Sequence, residues 1–366
     1  MNNQQNRDMS RLDCLTIRGF KSIRALEDFE LRNLNVLIGA NGAGKSNFIS
    51  LFQMLAQLSE KRLQLFVGQQ DGPDALLFGG RKRTQQLEAK FVFDENGYEF
   101  ALVPAGERLI FADETLSAGG GLGERQSLGS GHEEARLPDV ADAVAKYIWP
   151  VIRSWRVYHF HDTTPSAPMR QAQAVRDNLR LKPDASNLAS FLRYLREQYP
   201  ENYERIVDTA HMAAPFFGDF VYRRELGERL ELEWFEADDP DTVHGPRQLS
   251  DGTLRFICLA TLLLQPAELQ PMTILIDEPE LGLHPYAVNL LGALLQQASD
   301  ARQIIVSTQS VDLISALEPK DVIVVSREEG ESKFERLDLE CLRDWLEDYA
   351  LGDLWKMNIL GGRPTR

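Results

Sequence analysis

Apolar residues alternate along the chain between short continuous runs and stripes with helical spacing. In the first hundred residues, strands are predicted at 14–17, 34–38, 87–93 and 98–103. A helix is predicted from 45 to about 58, and a glycine-rich loop separates it from the strand at 34–38. The order strand, glycine-rich loop, helix is typical of a phosphate-binding unit.

The C-terminal third repeats strand and helix in regular alternation. The predicted elements are strands at 273–276, 303–307 and 321–326, and helices at 285–297 and 311–317. Such alternation is typical of a parallel sheet covered by helices. The sequence therefore predicts an α/β protein.

The middle section has a different pattern, which predicts an inserted helical lobe. Helices are expected at 186–198, 201–213 and 253–265, strand-like alternation at 217–235, and an acidic loop at 238–246. A glycine-rich stretch at 117–131 predicts a mobile loop or hairpin tip at the edge of a lobe.

These patterns predict two lobes and a tail. Residues 10–115 and 269–338 would form the first lobe, 132–268 the second lobe, and 339–366 a helical tail. In the tail, Leu342, Trp345, Leu346 and Tyr349 make one apolar helix face. That face either packs on the first lobe or receives a partner.

Composition narrows the functional classes. The longest apolar run, 256–264, is half of the roughly 18 residues that a membrane span needs, and residues 1–10 are polar. We therefore predict a cytoplasmic protein with no membrane partner. The three cysteines are expected to be buried small hydrophobic residues: Cys14, Cys258 and Cys341.

Charge argues against a protein that coats nucleic acid. The net charge is −15, whereas neutralising phosphates requires clustered Lys and Arg. A local basic groove stays open as an alternative to an ordinary solvated surface. The candidates for it are Arg11, Arg18, Lys21, Arg24, Arg81, Lys82, Arg83, Arg176, Arg180 and Lys182.

Residues 39–46 match the phosphate-loop pattern GxxxxGK[ST] without a mismatch. Glycines let successive backbone N–H groups converge on phosphate, and the following helix adds its positive end. We expect Lys45 to contact the β and γ phosphates and Ser46 to ligate Mg²⁺. The predicted ATP-binding residues here are Gly39, Asn41, Gly42, Ala43, Gly44, Lys45, Ser46 and Asn47.

The apolar strand at 274–276 ends in two acids, Asp277 and Glu278. An apolar strand with this ending is typical of the Walker B motif of P-loop ATPases. Asp277 is expected to hold Mg²⁺ and Glu278 to act as general base toward the attacking water. The alternative is a strand followed by a solvated acidic turn.

Residues 249–253 read Leu-Ser-Asp-Gly-Thr and open the apolar helix, 24 residues before the Walker B strand. The order and spacing resemble the signature motif of the ABC/SMC/RecF class of ATPases, in the form found in predicted ATPases related to RecF and to OLD nucleases. In that class, Ser250 and Gly252 would present a helix N-terminus to the γ phosphate held by a second subunit. Ser250 is equally an ordinary N-cap candidate, and Asp251 needs a cation or must point away from phosphate.

Two further segments resemble the same class. Residues 280–285 are similar to its D-loop, and His284 is either a helix N-cap or a contact across the dimer. Gln309 lies where relatives often carry a switch histidine. A glutamine still hydrogen bonds to phosphate or water but gains no charge near neutral pH, so slow turnover with weak pH dependence is expected.

The roles of some other polar residues remain open between alternatives. His159 and His161 share a strand face and would form a metal pair or pack normally. The glutamine of the ABC Q-loop is left open among Gln53, Gln69 and Gln70. The resemblance also covers the entry segment 17–23 and the markers at 183–189 and 351–364, but the long coiled-coil arms of SMC proteins are not predicted.

The resemblance implies ATP hydrolysis with Mg²⁺ in a head-to-tail dimer, with ATP sandwiched between subunits. Lys45, Glu278 and Gln309 would be its catalytic residues. Two roles are compatible with it: a switch in bacterial defence that controls a separate toxin or nuclease, or a RecF/SMC-type repair ATPase that clamps DNA. Only 57 residues follow Gln309, so a nuclease activity would belong to a partner.

Overall fold

The computed structural model describes residues 11–119, 123–223 and 227–361, with Leu339 and Cys341 described by their backbone alone. The terminus at 1–10 and the last part of the 351–364 marker, from 362, lie outside the described residues. Within them the helices are α1 (Lys45–Ser59), α2 (Leu63–Gln69), α3 (Pro73–Leu76), α4 (Ala143–Ser154), α5 (Leu188–Gln198), α6 (Pro200–Ala213), α7 (Asp251–Leu264), α8 (Pro285–Ser299), α9 (Val311–Ser315), α10 (Leu339–Asp348) and α11 (Leu351–Lys356).

The strands of the described residues form four sheets. They are β1 (Cys14–Phe20), β2 (Ile23–Glu30), β3 (Leu34–Ile38), β4 (Leu87–Phe93), β5 (Asn96–Ala105), β6 (Arg108–Ser117), β7 (Arg125–Gly129), β8 (Arg156–Tyr158), β9 (Gln173–Ala174), β10 (Phe217–Val221), β11 (Arg229–Leu230), β12 (Glu233–Glu236), β13 (Asp239–His244), β14 (Thr273–Asp277), β15 (Gln303–Thr308), β16 (Val322–Glu328) and β17 (Glu331–Arg336).

The central sheet has the order β17-β16-β3-β15-β14-β8. Its strands are parallel except β17, which pairs antiparallel with β16. The register sets Thr308 beside Ile38 and Ser307 beside Asp277. The carboxyl ends of β3, β15 and β14 therefore lie at one edge, which is where ligands bind in sheets of this kind.

Alternating side chains of the central strands enter two different cores. Val36, Ile274 and Val306 belong to a core with α5 to α9, whereas Leu37, Leu275 and Ile305 belong to a core with α1 and α4. Both faces of the sheet are buried, because helices or a second sheet cover each one. This explains why each of β3, β14 and β15 contains a continuous apolar run, at 36–38, 274–276 and 304–306.

The second core is closed by an antiparallel sheet of order β2-β1-β4-β5-β6-β7. Its aromatic side chains pack around Trp155, for example Phe91 and Phe93 with ring centroids 6.5 and 6.2 Å away. The 117–131 stretch is the end of the β6–β7 hairpin, and β7 itself occupies 125–129. One of the two predicted interpretations, a hairpin tip, therefore describes this stretch, apart from residues 120–122, which lie outside the described residues.

The middle section contains helices α5 and α6 and also a small sheet of order β10-β12-β13. The prediction of an acidic loop at 238–246 is wrong, because 239–244 is strand β13, paired with β12. Its exposed side chains give it no apolar alternation, so the pattern could not reveal it. The helix predicted from 253 begins two residues earlier, at Asp251.

Several elements had no predicted counterpart, among them β2, β6, β8, β17 and α4. Within the described residues the longest helices, α1 and α8, have 15 residues. No helix in that part of the chain is long and apolar enough to cross a membrane. The division into two lobes and a tail at the stated boundaries remains a proposal.

Candidate functional site

The phosphate loop follows β3, and its last two residues, Lys45 and Ser46, are the first two of α1. Gly42 and Gly44 have φ of 77° and 119°, a region that favours glycine. A side chain at Gly39 would overlap the carbonyl oxygen of Val325, because the loop passes directly over β16. The sequence therefore needs glycine at these points for the backbone to close around a phosphate.

A chain of hydrogen bonds supports the loop from outside. Asn47 Nδ2 donates to Ser22 Oγ at 2.6 Å, and Ser22 Oγ lies 2.7 Å from Ser332 Oγ. The Ser332 hydroxyl donates to the carbonyl of Ala43 at 2.6 Å. In this arrangement Asn47, predicted as an ATP contact, holds the loop to β17 through its amide. Neither serine was identified from the sequence, because both are far away along the chain.

Lys45 is buried, with 5% of its surface exposed, and its Nζ donates to Gly39 O at 2.7 Å and Ala40 O at 3.3 Å. Burial lowers the pKa of Lys45, and the acidic side chains at 277, 278 and 280 oppose that shift. These three carboxylates thus lie close enough to act on the lysine. The phosphate loop and the end of β14 converge, as the motifs together predict.

Two side chains at the site offer oxygen atoms for the predicted Mg²⁺. Asp277 Oδ1 is buried and has no hydrogen-bond partner, and the Ser46 hydroxyl is exposed at the start of α1. Mg²⁺ takes one or two protein oxygens and completes its shell with phosphates and water. The described residues offer no group of three or more His, Cys, Asp or Glu for a metal. Asp277 and Ser46 therefore fit a magnesium that phosphate also ligates.

Glu278 has φ of 44°, a left-handed conformation that is uncommon for a non-glycine residue. Its N–H donates to Ser307 O at 2.8 Å, and Gln309 Nε2 donates to its carboxylate. The predicted base and the predicted switch residue are therefore in direct contact. This geometry turns the Glu278 side chain toward residues 307–310 at the end of β15, which contain Gln309 and are called the switch segment below.

Glu280 is a third carboxylate of the site, to which the sequence analysis assigned no role. Its Oε1 accepts from Thr308 Oγ1 at 2.6 Å and from Gln309 N at 3.1 Å, whereas Oε2 is buried without a partner. Burial raises the pKa of Glu280, and the bonds from Thr308 and Gln309 oppose that shift. The signals in the sequence were its position two residues after the Walker B pair and at the start of the segment that resembles the D-loop.

In the signature segment at 249–253, Ser250 Oγ accepts from Thr253 N at 3.1 Å and caps α7. Arg170, almost fully buried, donates to Asp251 Oδ1 at 2.7 Å and to the carbonyls of Pro246 and Leu249. The expectation that a cation neutralises Asp251 is thus met by Arg170. The structure shows Ser250 as the N-cap of α7, which engages the Thr253 N–H, and Ser250 and Asp251 remain exposed at this end of the helix.

The start of α7 packs closely against the D-loop. A side chain at Gly252 would lie 2.5 Å from Gly282 O, and Arg255 donates to Leu281 O. Arg255 also donates to His161 O at 3.0 Å, and the His161 ring donates from Nε2 to Asp277 O at 2.8 Å. The signature helix, the D-loop and the end of β14 are therefore joined by direct hydrogen bonds.

The remaining polar candidates have ordinary partners. His284 Nδ1 accepts from Tyr286 N at 3.3 Å, which is the N-cap interpretation. His159 lies 3.4 Å from the Gln53 amide, and burial lowers its pKa. Gln70 accepts from Lys21 Nζ at 2.7 Å.

The expectation of buried cysteines holds for one of the two whose side chains are described. Cys258 is buried, but Cys14 is only half-buried. The side chain of Cys341 is not among the described ones.

Many of the basic candidates for a DNA groove are paired with acids. Ion pairs join Arg11 to Asp13, Arg18 to Glu27 and Glu88, Arg24 to Glu331, Arg81 to Asp74 and Glu107, and Lys182 to Asp177. Arg83 lies over the Phe78 ring, 4.7 Å from its centroid. Such pairing reduces the positive potential that a phosphate backbone would meet.

Comparisons with known proteins agree with this geometry. A family model described as "AAA domain, putative AbiEii toxin, Type IV TA system" matches residues 34–115 and 124–315, more than half of the chain. A search of curated proteins finds no match.

Two solved structures are similar in fold, though low in sequence identity. One is an SMC head bound to the C-winged helix domain of ScpA, with 20% identity, TM-score 0.58, and coverage of 90% of this chain and 99% of that one. The other is an SMC head with an extended coiled coil bound to the C-terminal domain of ScpA, derived from Pyrococcus furiosus, with 15% identity, TM-score 0.53, and coverage of 92% and 98%. The predicted α/β P-loop head of SMC type is confirmed.

Proposed function

Since the chain belongs to the family described as "AAA domain, putative AbiEii toxin, Type IV TA system" and is an ATPase of the P-loop class, we propose that it is a nucleotide-driven switch in bacterial defence. It hydrolyses ATP in a head-to-tail dimer and thereby controls a separate toxin or nuclease. The observation that carries the ATPase site is the convergence of Lys45, Asp277, Glu278 and Gln309 at one sheet edge.

In this proposal the residues of the site have different roles in ATP binding and hydrolysis. Lys45 and the backbone N–H groups of the phosphate loop hold the β and γ phosphates. Mg²⁺, held by Asp277 and Ser46, would offset charge on the phosphate oxygens. Glu278 takes a proton from the attacking water, and the oxygen of that water forms a bond to the γ phosphorus. The bond from the γ phosphorus to the ADP oxygen breaks, and ADP leaves. Gln309 donates a hydrogen bond to Glu278 and thereby orients that carboxylate and the water.

The dimer is supported by the arrangement of the signature segment. Ser250 and Asp251 are exposed at the start of a helix whose next residue, Gly252, packs on the D-loop. A helix N-terminus attracts an anion, so a second subunit's γ phosphate fits there. The Asp251 carboxylate would oppose that anion, and Arg170 offsets its charge. ATP would then join two copies, with the D-loop between them.

A separate effector is supported by the family description. The family is described with a toxin system, and the two similar SMC heads were solved with a domain of a different protein, ScpA. We place the switch in the cytoplasm. The ion pairs of the basic candidates favour a protein effector over clamped DNA, and the test below includes DNA as the competing outcome.

The test compares the wild type with Glu278→Gln, measuring ATP turnover and mass by light scattering with Mg–ATP. We expect turnover to fall by a factor on the order of 100 or more, and the variant to trap an ATP-dependent dimer. Glu329→Gln is the matched control, because Glu329 is exposed and also has a left-handed φ, 49°. Full turnover in Glu278→Gln would refute the assignment of the base.

The same assay, repeated with double-stranded DNA, separates the two roles. The switch proposal expects turnover to be unchanged by DNA and expects the chain to copurify with its effector. Stimulation by DNA that weakens with salt would favour the repair ATPase instead.

A further inference from the structure

We infer that Glu280 is a positioning residue, which holds the switch residue Gln309 in place against the base Glu278. The inference rests on the proposed ATPase site and adds a residue to it. Glu280 itself does not touch the reacting atoms in this scheme. It acts through two donors of the switch segment that meet on one of its oxygens.

The contacts define a closed arrangement. The Thr308 hydroxyl and the Gln309 N–H both donate to Glu280 Oε1, at 2.6 and 3.1 Å. The Gln309 side-chain amide donates in turn to the Glu278 carboxylate. The backbone of Gln309 is thus held from one side and its side chain from the other.

Burial makes this arrangement costly to break. Thr308 is fully buried, and the second oxygen of Glu280 is buried without a partner. If Oε1 were removed, the Thr308 hydroxyl and the Gln309 N–H would both lose their acceptor inside the protein. Gln309 would then be free to move its amide away from Glu278, and a small displacement of an orienting group is enough to slow a reaction.

Glu280 also connects the switch segment around Gln309 to the D-loop. Glu280 O accepts from Leu283 N at 3.0 Å, and Gly282 in the same turn abuts Gly252 of the signature helix. One short segment therefore contacts both the switch on β15 and the start of α7. A shift of the signature helix on dimer closure would reach Gln309 through Glu280.

The experiment measures kcat, KM and the affinity for the fluorescent analogue mant-ATP in the full chain. Glu280→Ala should lower kcat by roughly 30-fold, while KM and the analogue Kd stay within about threefold. Glu280→Gln should recover at least about tenfold of that loss, because the amide oxygen still accepts from both donors. An equal loss in both variants would overturn the positioning role and indicate that the charge itself acts.

A double variant tests whether Glu280 works through Gln309. Glu280→Ala/Gln309→Ala should be within about twofold of the slower single variant, because residues that act as a unit are not additive. Multiplied effects of the two substitutions would refute the inference. If Glu280→Ala folds poorly, Thr308→Val and Thr308→Ser give the same comparison from the donor side, with Ser retaining the hydroxyl.

Hydrogen exchange supplies a readout that does not depend on turnover. The Gln309 N–H should exchange faster in Glu280→Ala than in the wild type and be protected again in Glu280→Gln. Unchanged exchange would overturn the inference even in an inactive protein. Absence of ATPase activity in the wild type would count against the proposed function, whereas a fully active Glu280→Ala would count against this inference alone.

Discussion

Glu278 and Glu280 lie two residues apart on one turn, yet their environments give them different tasks. Glu278 adopts a left-handed φ of 44° and faces the Gln309 amide. Glu280 is turned to the Thr308 hydroxyl and the backbone of the switch. Identical carboxylates thus become a base and a support because the fold surrounds them with different donors.

The partial burial of Glu280 predicts how stability depends on pH. Because burial raises the pKa of Glu280 above its ordinary 4.5, the folded protein holds that proton more tightly than the unfolded chain does. Its contribution to stability is therefore complete below pH 4.5 and is lost as pH rises through the folded-state pKa. Urea unfolding at a series of pH values above 4.5 should show Glu280→Gln gaining stability relative to the wild type as the pH rises. A difference that stays constant with pH would contradict this.

The identity of residue 309 predicts how turnover depends on pH. Gln309 carries no titrating group, so kcat of the wild type should change less than about twofold between pH 6 and 7. Gln309→His places a group of ordinary pKa near 6.5 beside Glu278 and should give a pH-dependent kcat. Gln309→Ala should be slower than the wild type at both pH values. Unchanged turnover in Gln309→Ala would remove Gln309 from the mechanism.

At the scale of elements, the contact between α7 and the D-loop depends on Gly252. An added methyl group would lie 2.5 Å from Gly282 O. Gly252→Ala should therefore separate the two segments, cost about 1–3 kcal/mol of unfolding free energy and reduce turnover. Thermal unfolding and ATPase assays measure both effects.

Gly245 provides the matched control for that substitution. It precedes the same segment with φ of −88°, and an added methyl group would meet nothing within 4 Å. Gly245→Ala should match the wild type in stability and turnover. Equal behaviour of the two alanine variants would show that the close approach at Gly252 is without consequence.

The elements differ in how far the sequence could reveal them. Strands β3, β14 and β15 and helix α8 were predicted within two residues, because their apolar runs are buried on both sides or form one stripe. Strand β13 was missed because its side chains are exposed. Its position is set by backbone pairing with β12, which leaves no trace in the hydrophobic pattern.

At the scale of the molecule, binding of Mg–ATP should stabilise the whole chain. The strand that leads into the phosphate loop, β3, joins the two cores, since it contributes Val36 to one and Leu37 to the other. In Glu278→Gln, Mg–ATP at about 100 times its Kd should add about 2.7 kcal/mol. Thermal unfolding with Mg–ATP, compared with EDTA, measures this gain.

Lys45→Ala in the same background tests whether the gain comes from the phosphate loop. The buried Lys45 is the expected phosphate contact, so the gain should fall by more than half. Lys146, exposed on α4, serves as the matched lysine control. A full gain in Lys45→Ala would refute the assigned phosphate contact.

The sequence by itself determined the motifs whose parts are neighbours in the chain: the loop at 39–46, the strand ending in Asp277 and Glu278, and the helix that starts after Ser250. Backbone conformation and hydrophobic period are local properties, and consecutive residues therefore carry them.

Only the tertiary structure decided the pairs that join distant segments. Arg170 meets Asp251, Glu280 meets Thr308, and Ser22 meets Ser332 across separations of 81, 28 and 310 residues. These partners depend on the order in which strands lie side by side in the sheets. No local pattern records that order, because it is set by how whole elements share two buried cores.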